Sequence, residues 1–385
     1  MRILHVVPSY LPAWRYGGPI RSVHGLARAQ AAAGDAVSVF TTDADGPGRL
    51  DVPTDRPVDR DGVAVHYFPV GAPRRLYRSP AMGRALGATI HGFDVVHLHS
   101  VFLWPTWAAA RAAESAGVRY FVSPRGMLVE DLIQERGALR KRLWIRLVER
   151  RTLARAAGVV VQSELERRHL EALGLALAPV AVVPNGVEAR QPEGSIEGSQ
   201  EPAVAAGLGG APFVLFLGRI SWKKGLDRLI EALAAIPGVT LAVAGNDDER
   251  LLPSLQELAR RTGVAGRVRF VGEVHGAAKG WLLDHAAVFC LPSSSENFGL
   301  AALEAMAAGR PVVVSSEVGL ASLPEAAPGL VVAPAGPAAL AAAISGLIGD
   351  PRRAAELGAR AARIAGEHFA WPGIAAATRE VYARR

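Results

Sequence analysis

Two glutamates eight positions apart, Glu296 and Glu304, have the type and spacing best suited to binding chemistry in this sequence. A strand is predicted to end at Leu291 and a helix to begin near Phe298 or Gly299, which places Glu296 in the loop and Glu304 in the second helical turn. Ionised carboxylates accept several hydrogen bonds and can bind vicinal hydroxyls, while free N–H groups at a helix start can bind phosphate. The serines before Glu296 are expected to cap this helix. Taken alone, two such glutamates are ordinary surface residues.

A basic loop precedes this stretch. The apolar run Phe213–Leu217 reads as a buried strand, and Gly218, Arg219, Lys223 and Lys224 follow it before the next helix. Cations at a helix start suit a diphosphate because the helix dipole and the side chains act on the same charge. The alternative is a solvated basic loop.

Gly17 and Gly18 follow the first predicted strand and open the helical pattern Ile20–Ala33. Adjacent glycines let the backbone approach a ligand closely, although a tight turn explains them equally well. The pattern differs from G-x-G-x-x-G, so it gives poor support for NAD.

Three further features have mainly structural interpretations. The only cysteine, Cys290, lies in an apolar run and is predicted to be a buried strand residue. Asp43-Ala44-Asp45 has the form of a metal-binding D-x-D, but we expect no metal there because it is far in sequence from the phosphate motifs. The side chains of His97 and His99 are expected to point to opposite faces of their sheet, so that at most one faces a ligand; His99 is favoured, and a packed histidine is equally acceptable.

Short β-branched runs alternate with helical patterns, which is typical of a parallel sheet covered on both faces. In the first half, the predicted strands are Ile3–Val7, Val37–Thr41, Val63–Phe68, Val95–Leu98, Tyr120–Ser123, Val159–Gln162 and Val180–Val183. In the second half, the predicted strands and helices are Phe213–Leu217, Leu226–Ala235, Thr240–Ala244, Leu251–Arg261, Val268–Val271, Ala277–His285, Ala287–Leu291, Leu300–Ala308 and Pro311–Ser315. Two such series predict two Rossmann-like α/β domains with the ligand in the cleft between them.

The predicted boundaries follow from a change in composition. Residues 190–212 are rich in Gly, Glu, Ser, Pro and Ala and lack a strong apolar period. We therefore expect an N-terminal domain at 1–187, a linker at 188–212 and a C-terminal domain at 213–370. The last segment, 371–385, is expected to form a helix that returns to the N-terminal domain.

Charge is uneven along the chain. The first 190 residues carry 25 Lys and Arg against 17 Asp and Glu, whereas the remainder carries 18 against 19. The segment from Arg136 to Arg155 combines eight cations with Leu139, Leu143, Trp144, Leu147 and Val148 at helical spacing. It is either a solvated domain helix or a helix that docks on anionic lipid at the inner membrane face. Nucleic-acid binding is less favoured because no nucleic-acid motif accompanies the charge.

Composition sets the outer limits. Half of the 385 residues are apolar and 21% are charged, an ordinary globular balance. We find neither a signal peptide nor an uncharged apolar stretch long enough for a membrane span, so a cytoplasmic protein is expected.

The stretch Leu291–Val314 strongly resembles glycosyltransferase family 4, retaining enzymes of the GT-B fold, through Pro-Ser-x-x-Glu-x-Phe-Gly-Leu-x-x-x-Glu-Ala-Met-Ala-x-Gly-x-Pro-Val-Val. The resemblance covers nearly the whole chain except residues 190–212. Its other segments are Gly218–Gly225, Val243–Asp247, Phe270–Gly272, Val183–Val187, Asp94–His99 and Gly17-Gly18.

The resemblance implies an α/β GT-B architecture, with two Rossmann-like domains facing across a central cleft, and a role for each matching residue. Glu296 would contact the hydroxyls of the donor sugar and Glu304 those of the ribose, while Arg219 and Lys224 would hold the diphosphate. Gly17 and Gly18 would let the N-terminal domain close over the donor. Further donor contacts are expected at Gly218, Asn246, Gly272, Val274, Asn297, Phe298, Gly299 and Leu300.

One departure concerns the acceptor side. Many family members carry a histidine after the strand that corresponds to Tyr120–Ser123, where this chain has Ser123-Pro-Arg-Gly-Met127. Arg125 stands at that place, as in a branch linked to cell-surface polysaccharide assembly. Its role as a sugar contact, a phosphate contact or an acceptor clamp stays open, and His99 and Arg125 are the predicted acceptor or sugar residues.

The implied activity is transfer of a hexose-type sugar from a UDP- or GDP-sugar to a saccharide or lipid-linked acceptor, without a metal or other cofactor. Two alternatives belong to other classes: a GT-B-fold nucleotide-sugar isomerase or epimerase, and a non-catalytic sugar-nucleotide-binding module.

Overall fold

The computed structural model describes residues 1–14, 17–135, 138–188, 207–208 and 210–384, apart from the side chains of residues 131, 132 and 135. Most of the predicted linker, and Arg136 of the basic segment, fall outside these residues. The chain divides into two compact units, Met1–Gly186 with Trp371–Arg385, and Val187–Ala370.

The first unit is built on an eight-stranded sheet of order β10-β9-β8-β7-β1-β2-β6-β5. Its strands are parallel except for β5, which pairs antiparallel with β6. The strands of this unit are β1 (Arg2–Val6), β2 (Ala36–Thr42), β5 (Val58–Arg60), β6 (Val63–Phe68), β7 (Val95–His99), β8 (Tyr120–Ser123), β9 (Gly158–Val161) and β10 (Val180–Val182), with a separate hairpin of β3 (Ala44–Asp45) and β4 (Gly48–Arg49).

Helices cover both faces of the first sheet. They are α1 (Gly18–Ala32), α2 (Pro80–Thr89), α3 (Trp104–Ala116), α4 (Glu130–Glu135), α5 (Ala138–Trp144), α6 (Arg150–Arg155), α7 (Glu164–Ala172) and, from the end of the chain, α14 (Trp371–Ala383). Ile145–Glu149 between α5 and α6 is π-helical. The predicted helix Leu139–Ala156 is therefore three joined segments, with wider turns in its middle.

The C-terminal helix α14 completes the core of the first unit. Trp371 and Tyr382 are buried together with Ile3, Leu26 and Phe121. The indole of Trp371 lies so close to the backbone of α1 that a Cβ at Gly25 would meet it at 2.3 Å. Removal of α14 would therefore expose apolar surface of the first sheet.

The second unit contains a six-stranded parallel sheet of order β13-β12-β11-β14-β15-β16. Its strands are β11 (Phe213–Leu217), β12 (Thr240–Ala244), β13 (Val268–Gly272), β14 (Val288–Leu291), β15 (Val312–Val314) and β16 (Val331–Val332). The helices are α8 (Leu226–Leu233), α9 (Leu252–Arg261), α10 (Gly276–His285), α11 (Leu300–Ala307), α12 (Pro337–Ile348) and α13 (Pro351–His368).

Both units are thus Rossmann-like α/β domains, and the predicted fold class is confirmed. Parallel strands buried on both faces need continuous apolar runs, and the runs in β12, β14 and β15 are buried throughout. Cys290 in β14 is fully buried, as predicted. Within the described ranges, no helix is long and apolar enough to cross a bilayer.

Candidate functional site

In the second unit, the side chains of Lys224 and Glu296 are in direct contact. Lys224 ends a short 3₁₀ turn after β11, and Glu296 lies in the loop between β14 and α11, so Nζ of Lys224 donates to Oε2 of Glu296 across two loops at the carboxyl edge of the sheet. Only 13% of the Lys224 side chain and 19% of the Glu296 side chain are exposed. The two residues most central to the predicted donor site are therefore neighbours.

Two more cations act on this carboxylate. Burial alone would raise the pKa of Glu296, but the charges of Lys224, Lys223 and Arg219, with the hydrogen bond from Lys224, lower it below its ordinary value. Arg219 itself is exposed. Glu296 is therefore ionised at neutral pH and can only accept hydrogen bonds, as a sugar-hydroxyl ligand must.

The second glutamate has its own cation. Nζ of Lys279, in α10, lies 2.6 Å from Oε1 of Glu304 in the second turn of α11, and both side chains are about one-fifth exposed or less. Sequence reasoning missed Lys279, since no motif marks it. Each predicted hydroxyl-binding carboxylate is thus held by a lysine of another element.

The backbone around these pairs is closely packed. Gly225 adopts φ +70°, and a Cβ there would meet the carbonyl oxygen of Pro292 at 2.3 Å, so the loop that carries Lys224 lies directly on the loop that carries Glu296. Gly299 adopts φ +95° as the N-cap of α11, where a Cβ would meet Val318 at 2.6 Å. Only glycine tolerates both the conformation and the contact.

The predicted serine cap of α11 is wrong. The helix begins at Leu300 after Gly299, and no side chain caps it. The Ser294 hydroxyl instead donates to the carbonyl of Lys223, because the preceding loop is folded back onto the basic turn.

The other predicted donor residues lie along the same edge of the second sheet. The loops are joined by backbone hydrogen bonds in series: Gly218 donates to Ala244 at 2.9 Å, Ile220 to Asn246 at 2.8 Å and Gly245 to Gly272 at 2.7 Å. Phe298 and Val274 are buried, whereas Asn297 and Leu300 are half-buried and Gly272 is exposed.

Glu249 positions the basic turn, and sequence reasoning missed it. Its carboxylate accepts hydrogen bonds from the Ser221 hydroxyl at 2.9 Å and from the Trp222 amide at 3.2 Å. An acidic residue just after β12 is only a weak signal.

In the first unit, His97 and His99 lie on the same face of the sheet, 4.2 Å apart between ring centroids. The expectation of opposite faces is wrong, because residues two apart in a strand point the same way. His5 joins them from β1, where it is the register partner of His97.

The three histidines are buried and fully hydrogen bonded. Nδ1 of His5 is 2.9 Å from Nε2 of His99, and Nε2 of His5 is 2.7 Å from Oε1 of Gln30. His97 bonds to the hydroxyls of Tyr382 at 2.6 Å and of Ser123 at 2.8 Å. Burial is the main cause that lowers the pKa of His5 to about 4, and it also lowers the pKa values of His97 and His99.

Arg125 closes this network at the turn after β8. Its Nη1 is 3.2 Å from the Ser22 hydroxyl and 2.9 Å from Oδ1 of Asn185, and its Nη2 is 3.1 Å from Nδ1 of His99. Burial lowers the pKa of the guanidinium to about 10, which leaves it a cation. The predicted pair of His99 and Arg125 is thus brought together.

The remaining predicted residues of this unit are accounted for more simply. Gly17 is the N-cap of α1 and Gly18 its first residue. Asp43 accepts hydrogen bonds from Arg49 at 3.1 Å and from the Val70 amide at 2.8 Å, which gives it a structural role.

Ligand atoms of His5, His97 and His99 lie within 4.8 Å of one another, a spacing that a metal ion could bridge. However, every ring nitrogen already has a hydrogen-bond partner, and one partner is the cation Arg125. The donor set therefore suits a hydrogen-bonded network better than a metal centre.

Comparisons with known proteins agree with this architecture. Residues 17–186 match the family of glycosyl transferase 4-like domains, and residues 202–364 match the glycosyl transferases group 1. The phosphatidyl-myo-inositol mannosyltransferase of Mycobacterium leprae is 33% identical over 78% of this chain and 75% of that protein. The D-inositol 3-phosphate glycosyltransferase of Xylanimonas cellulosilytica is 30% identical over 96% of this chain and 92% of that protein.

Among solved structures, Anabaena HepE in complex with UDP and glucose has a TM-score of 0.77 at 22% identity and covers 100% of this chain and 99% of its own. This similarity supports the GT-B fold. The chain belongs to the glycosyltransferases of GT-B fold that combine a glycosyl transferase 4-like domain with a group 1 domain.

Proposed function

We propose that this glycosyltransferase binds a nucleoside-diphosphate sugar at the carboxyl edge of the second sheet and transfers the sugar with retention and without a metal. The contact between Lys224 and an ionised Glu296 carries the proposal. A lysine, which can bind phosphate, lies beside a carboxylate that can accept hydrogen bonds from sugar hydroxyls.

The donor would extend along this edge. Arg219 and Lys224 would hold the diphosphate, together with backbone N–H groups of Phe298, Gly299 and Leu300. Glu296 would bind the transferred sugar and Glu304 the ribose. The residues from Gly272 to Val274 would border the base. Gly218, Asn246 and Asn297 would also contact the donor. UDP is the favoured nucleotide because the HepE structure is a complex with UDP and glucose.

The demanding step is cleavage of the bond between the anomeric carbon and the diphosphate oxygen. The leaving oxygen takes the bonding electrons, so negative charge develops on the phosphate while positive charge develops on the sugar ring. Preorganised cations stabilise that developing charge, and this is the work proposed for Arg219 and Lys224. The acceptor hydroxyl supplies the new bond, and its proton passes to the leaving phosphate.

A ligand screen tests the donor assignment. UDP, GDP and ADP are added to the full chain, and the melting temperature is followed; the preferred nucleotide raises it because it binds the folded state. Glu304→Gln should lower the affinity for that nucleotide, whereas Glu325→Gln, an exposed change in the same unit, should not. A chain that no nucleotide stabilises would contradict the donor site.

Product analysis separates the alternative classes. Incubation of the preferred nucleotide-sugar with an acceptor panel should give a glycoside by NMR, and incubation without acceptor should leave the sugar unchanged. Conversion of the sugar without acceptor would identify an isomerase, and tight binding without turnover across the panel would identify a binding module.

The acceptor is proposed to be a saccharide or a lipid-linked molecule of cell-surface glycan synthesis, used at the inner face of the membrane. Leu139, Leu143 and Leu147 form one row on the helical segment of the first unit and are 83%, 54% and 66% exposed. Trp144 instead turns inward and bonds to buried Glu149 at 2.8 Å. The predicted apolar stripe therefore does not pack as one face: Trp144 packs inward, and the three leucines lie on the surface.

These leucines are interspersed with cations, which favours an anionic bilayer as the partner of this surface. Arg140, Arg142, Arg146 and Arg150 are exposed on the same segment. Three of them line a pocket of about 260 Å³ whose walls include Ile145 and Leu175. Leucines can enter the lipid while each cation contributes about 1 kcal/mol to binding at an anionic surface.

Vesicle flotation tests the membrane proposal. The full chain should float with phosphatidylcholine vesicles containing phosphatidylglycerol and stay in solution with phosphatidylcholine alone. Leu139→Ser/Leu143→Ser/Leu147→Ser and Arg140→Gln/Arg142→Gln/Arg146→Gln should each reduce binding at least tenfold. The control Arg352→Gln/Arg353→Gln/Arg360→Gln removes the same charge from the second unit. Equal loss in that control would show unspecific attraction.

A further inference from the structure

Arg125 is a part-buried cation without a carboxylate. In the part of the chain that the structure describes, its hydrogen bonds go to Ser22, Asn185 and His99, all of which are uncharged, and it makes no ion pair. The charge of Glu166 raises the pKa of Arg125, and this carboxylate accepts hydrogen bonds from the amides of Gly126 and Gln162. Removing a cation from water without an anionic partner is costly.

Among the described residues, two of the five N–H groups of the Arg125 guanidinium lack an acceptor. Ser22 and Asn185 accept the two on Nη1, and His99 accepts one on Nη2. The N–H of the buried Nε and one N–H of Nη2 are left. A phosphate or carboxylate can accept from two N–H groups of one guanidinium. The residue as a whole remains half-exposed.

The direction of the histidine network follows from Arg125. Arginine can only donate, so Nδ1 of His99 must accept and the neutral ring carries its proton on Nε2. That proton is donated to Nδ1 of His5, whose own proton on Nε2 is donated to Oε1 of Gln30. In the chain Arg125–His99–His5–Gln30, each residue therefore donates its hydrogen bond to the next. Protonation of His99 on Nδ1 would remove the acceptor that orients the guanidinium.

We propose that Arg125 binds an oxyanion carried by the acceptor, a phosphate or a carboxylate, and that neutral His99, backed by His5 and Gln30, is the positioning residue that orients it. This inference rests on the proposed function, because it names a chemical feature of the acceptor. Of the roles left open for Arg125, it selects binding of an anionic acceptor group over contact with neutral sugar hydroxyls alone.

Inorganic phosphate is the probe. It is titrated calorimetrically into the full chain at pH 7.5 and constant ionic strength, with and without saturating UDP. Wild type is expected to bind phosphate in the presence of UDP, and Arg125→Gln to bind it at least tenfold more weakly while its UDP affinity stays within twofold. Equal phosphate affinity in wild type and Arg125→Gln would overturn the proposal. So would a loss of UDP affinity in Arg125→Gln, which would assign the residue to the donor.

The positioning role has its own readout. His99→Asn keeps an acceptor near the place of Nδ1 and should retain phosphate affinity within about threefold, whereas His99→Leu should lose it as Arg125→Gln does. If His99→Leu fails to fold, Asn185→Ala removes another Arg125 acceptor at a half-exposed position and should weaken phosphate binding. Unchanged affinity in the folded variants, or stoichiometric Zn²⁺ binding to the wild type, would overturn the network as described. If the chain binds no nucleotide, the proposed donor site is wrong. The phosphate affinities of wild type and Arg125→Gln, measured without UDP, would still test the role of Arg125.

Discussion

The carboxyl edges of the two sheets handle buried charge in opposite ways. In the second unit, each carboxylate of the candidate donor site has a lysine from another element, Lys224 with Glu296 and Lys279 with Glu304. In the first unit, the cation Arg125 is surrounded by neutral acceptors, and the histidines behind it are held uncharged by burial. Among the described residues, both carboxylates of the second edge have a cation partner, whereas Arg125 at the first edge forms no ion pair.

This difference is the basis of the two ligands proposed above. A lysine paired with a carboxylate can turn to a phosphate, which frees the carboxylate for a hydroxyl, so a single neutral pair offers both contacts to a nucleotide-sugar. A cation among neutral acceptors has one missing partner, an anion. The units share an architecture, yet we propose an oxyanion as the ligand of the first and a diphosphate with hydroxyls on either side as the ligand of the second.

The largest expected effect is loss of turnover on removal of Lys224. Lys224→Met should lower kcat by about 100- to 1000-fold, because a preorganised cation that stabilises the leaving phosphate is worth that much in comparable sites. Steady-state kinetics with the preferred nucleotide-sugar would measure it. Arg310→Met, which removes a half-buried cation just before β15, is the matched control and should retain most activity. Similar rates for both variants would show that Lys224 has no specific catalytic role.

A smaller effect is expected from the backbone that joins the loops of the second edge. Gly225→Ala should lower the free energy of unfolding by about 1–3 kcal/mol, since the new methyl must displace the Pro292 carbonyl in addition to the strain of positive φ. Gly238→Ala is the control, because Gly238 has φ +73° and nothing within 4 Å of its Cβ position. Urea unfolding of both variants separates strain from contact. Equal losses would mean that the two loops can move apart freely.

The sequence predicted the fold well for a physical reason. Strands buried on both faces need nearly uninterrupted apolar runs, so β11 and β12 begin and end at the predicted residues. The segment Ile145–Glu149 was missed as a π-helical turn because its composition matches that of an ordinary helix.

The site was predicted only in part. Glu296 and Lys224 carry recognisable motifs, but Lys279, Glu249 and Gln30 act through tertiary contacts that no local pattern marks. The histidines illustrate a different failure: His97 and His99 have the period of two that places them on one face, and that signal was misread. His5 could be added only once the register of β1 with β7 was known.

The smallest expected effect contrasts the two edges by pH. Burial places the pKa of His5 near 4 in the folded chain, against about 6.5 when unfolded. Between these values the unfolded state binds a proton that the folded state does not, so stability is complete above about pH 6.5 and declines as the pH falls towards 4, by about 1.4 kcal/mol per pH unit per histidine at most. Glu296, whose folded pKa is lowered, keeps its contribution down to its ordinary pKa of 4.5 and loses it as the pH falls further, through the folded pKa.

Urea unfolding of wild type and His5→Asn at pH 6.5, 5.5 and 4.5 tests this contrast. Asparagine keeps an acceptor for the Nε2–H of His99 but does not titrate, so the variant should be less stable at pH 6.5 and lose less stability on acidification, by the share of one histidine. His91→Asn, which removes an exposed histidine of the same unit, should leave the slope unchanged. If His5→Asn and the wild type declined in parallel, His5 would carry a proton in the folded chain at these pH values. The hydrogen bond from His99 to His5 would then have no acceptor, and the one-way network that orients Arg125 could not exist.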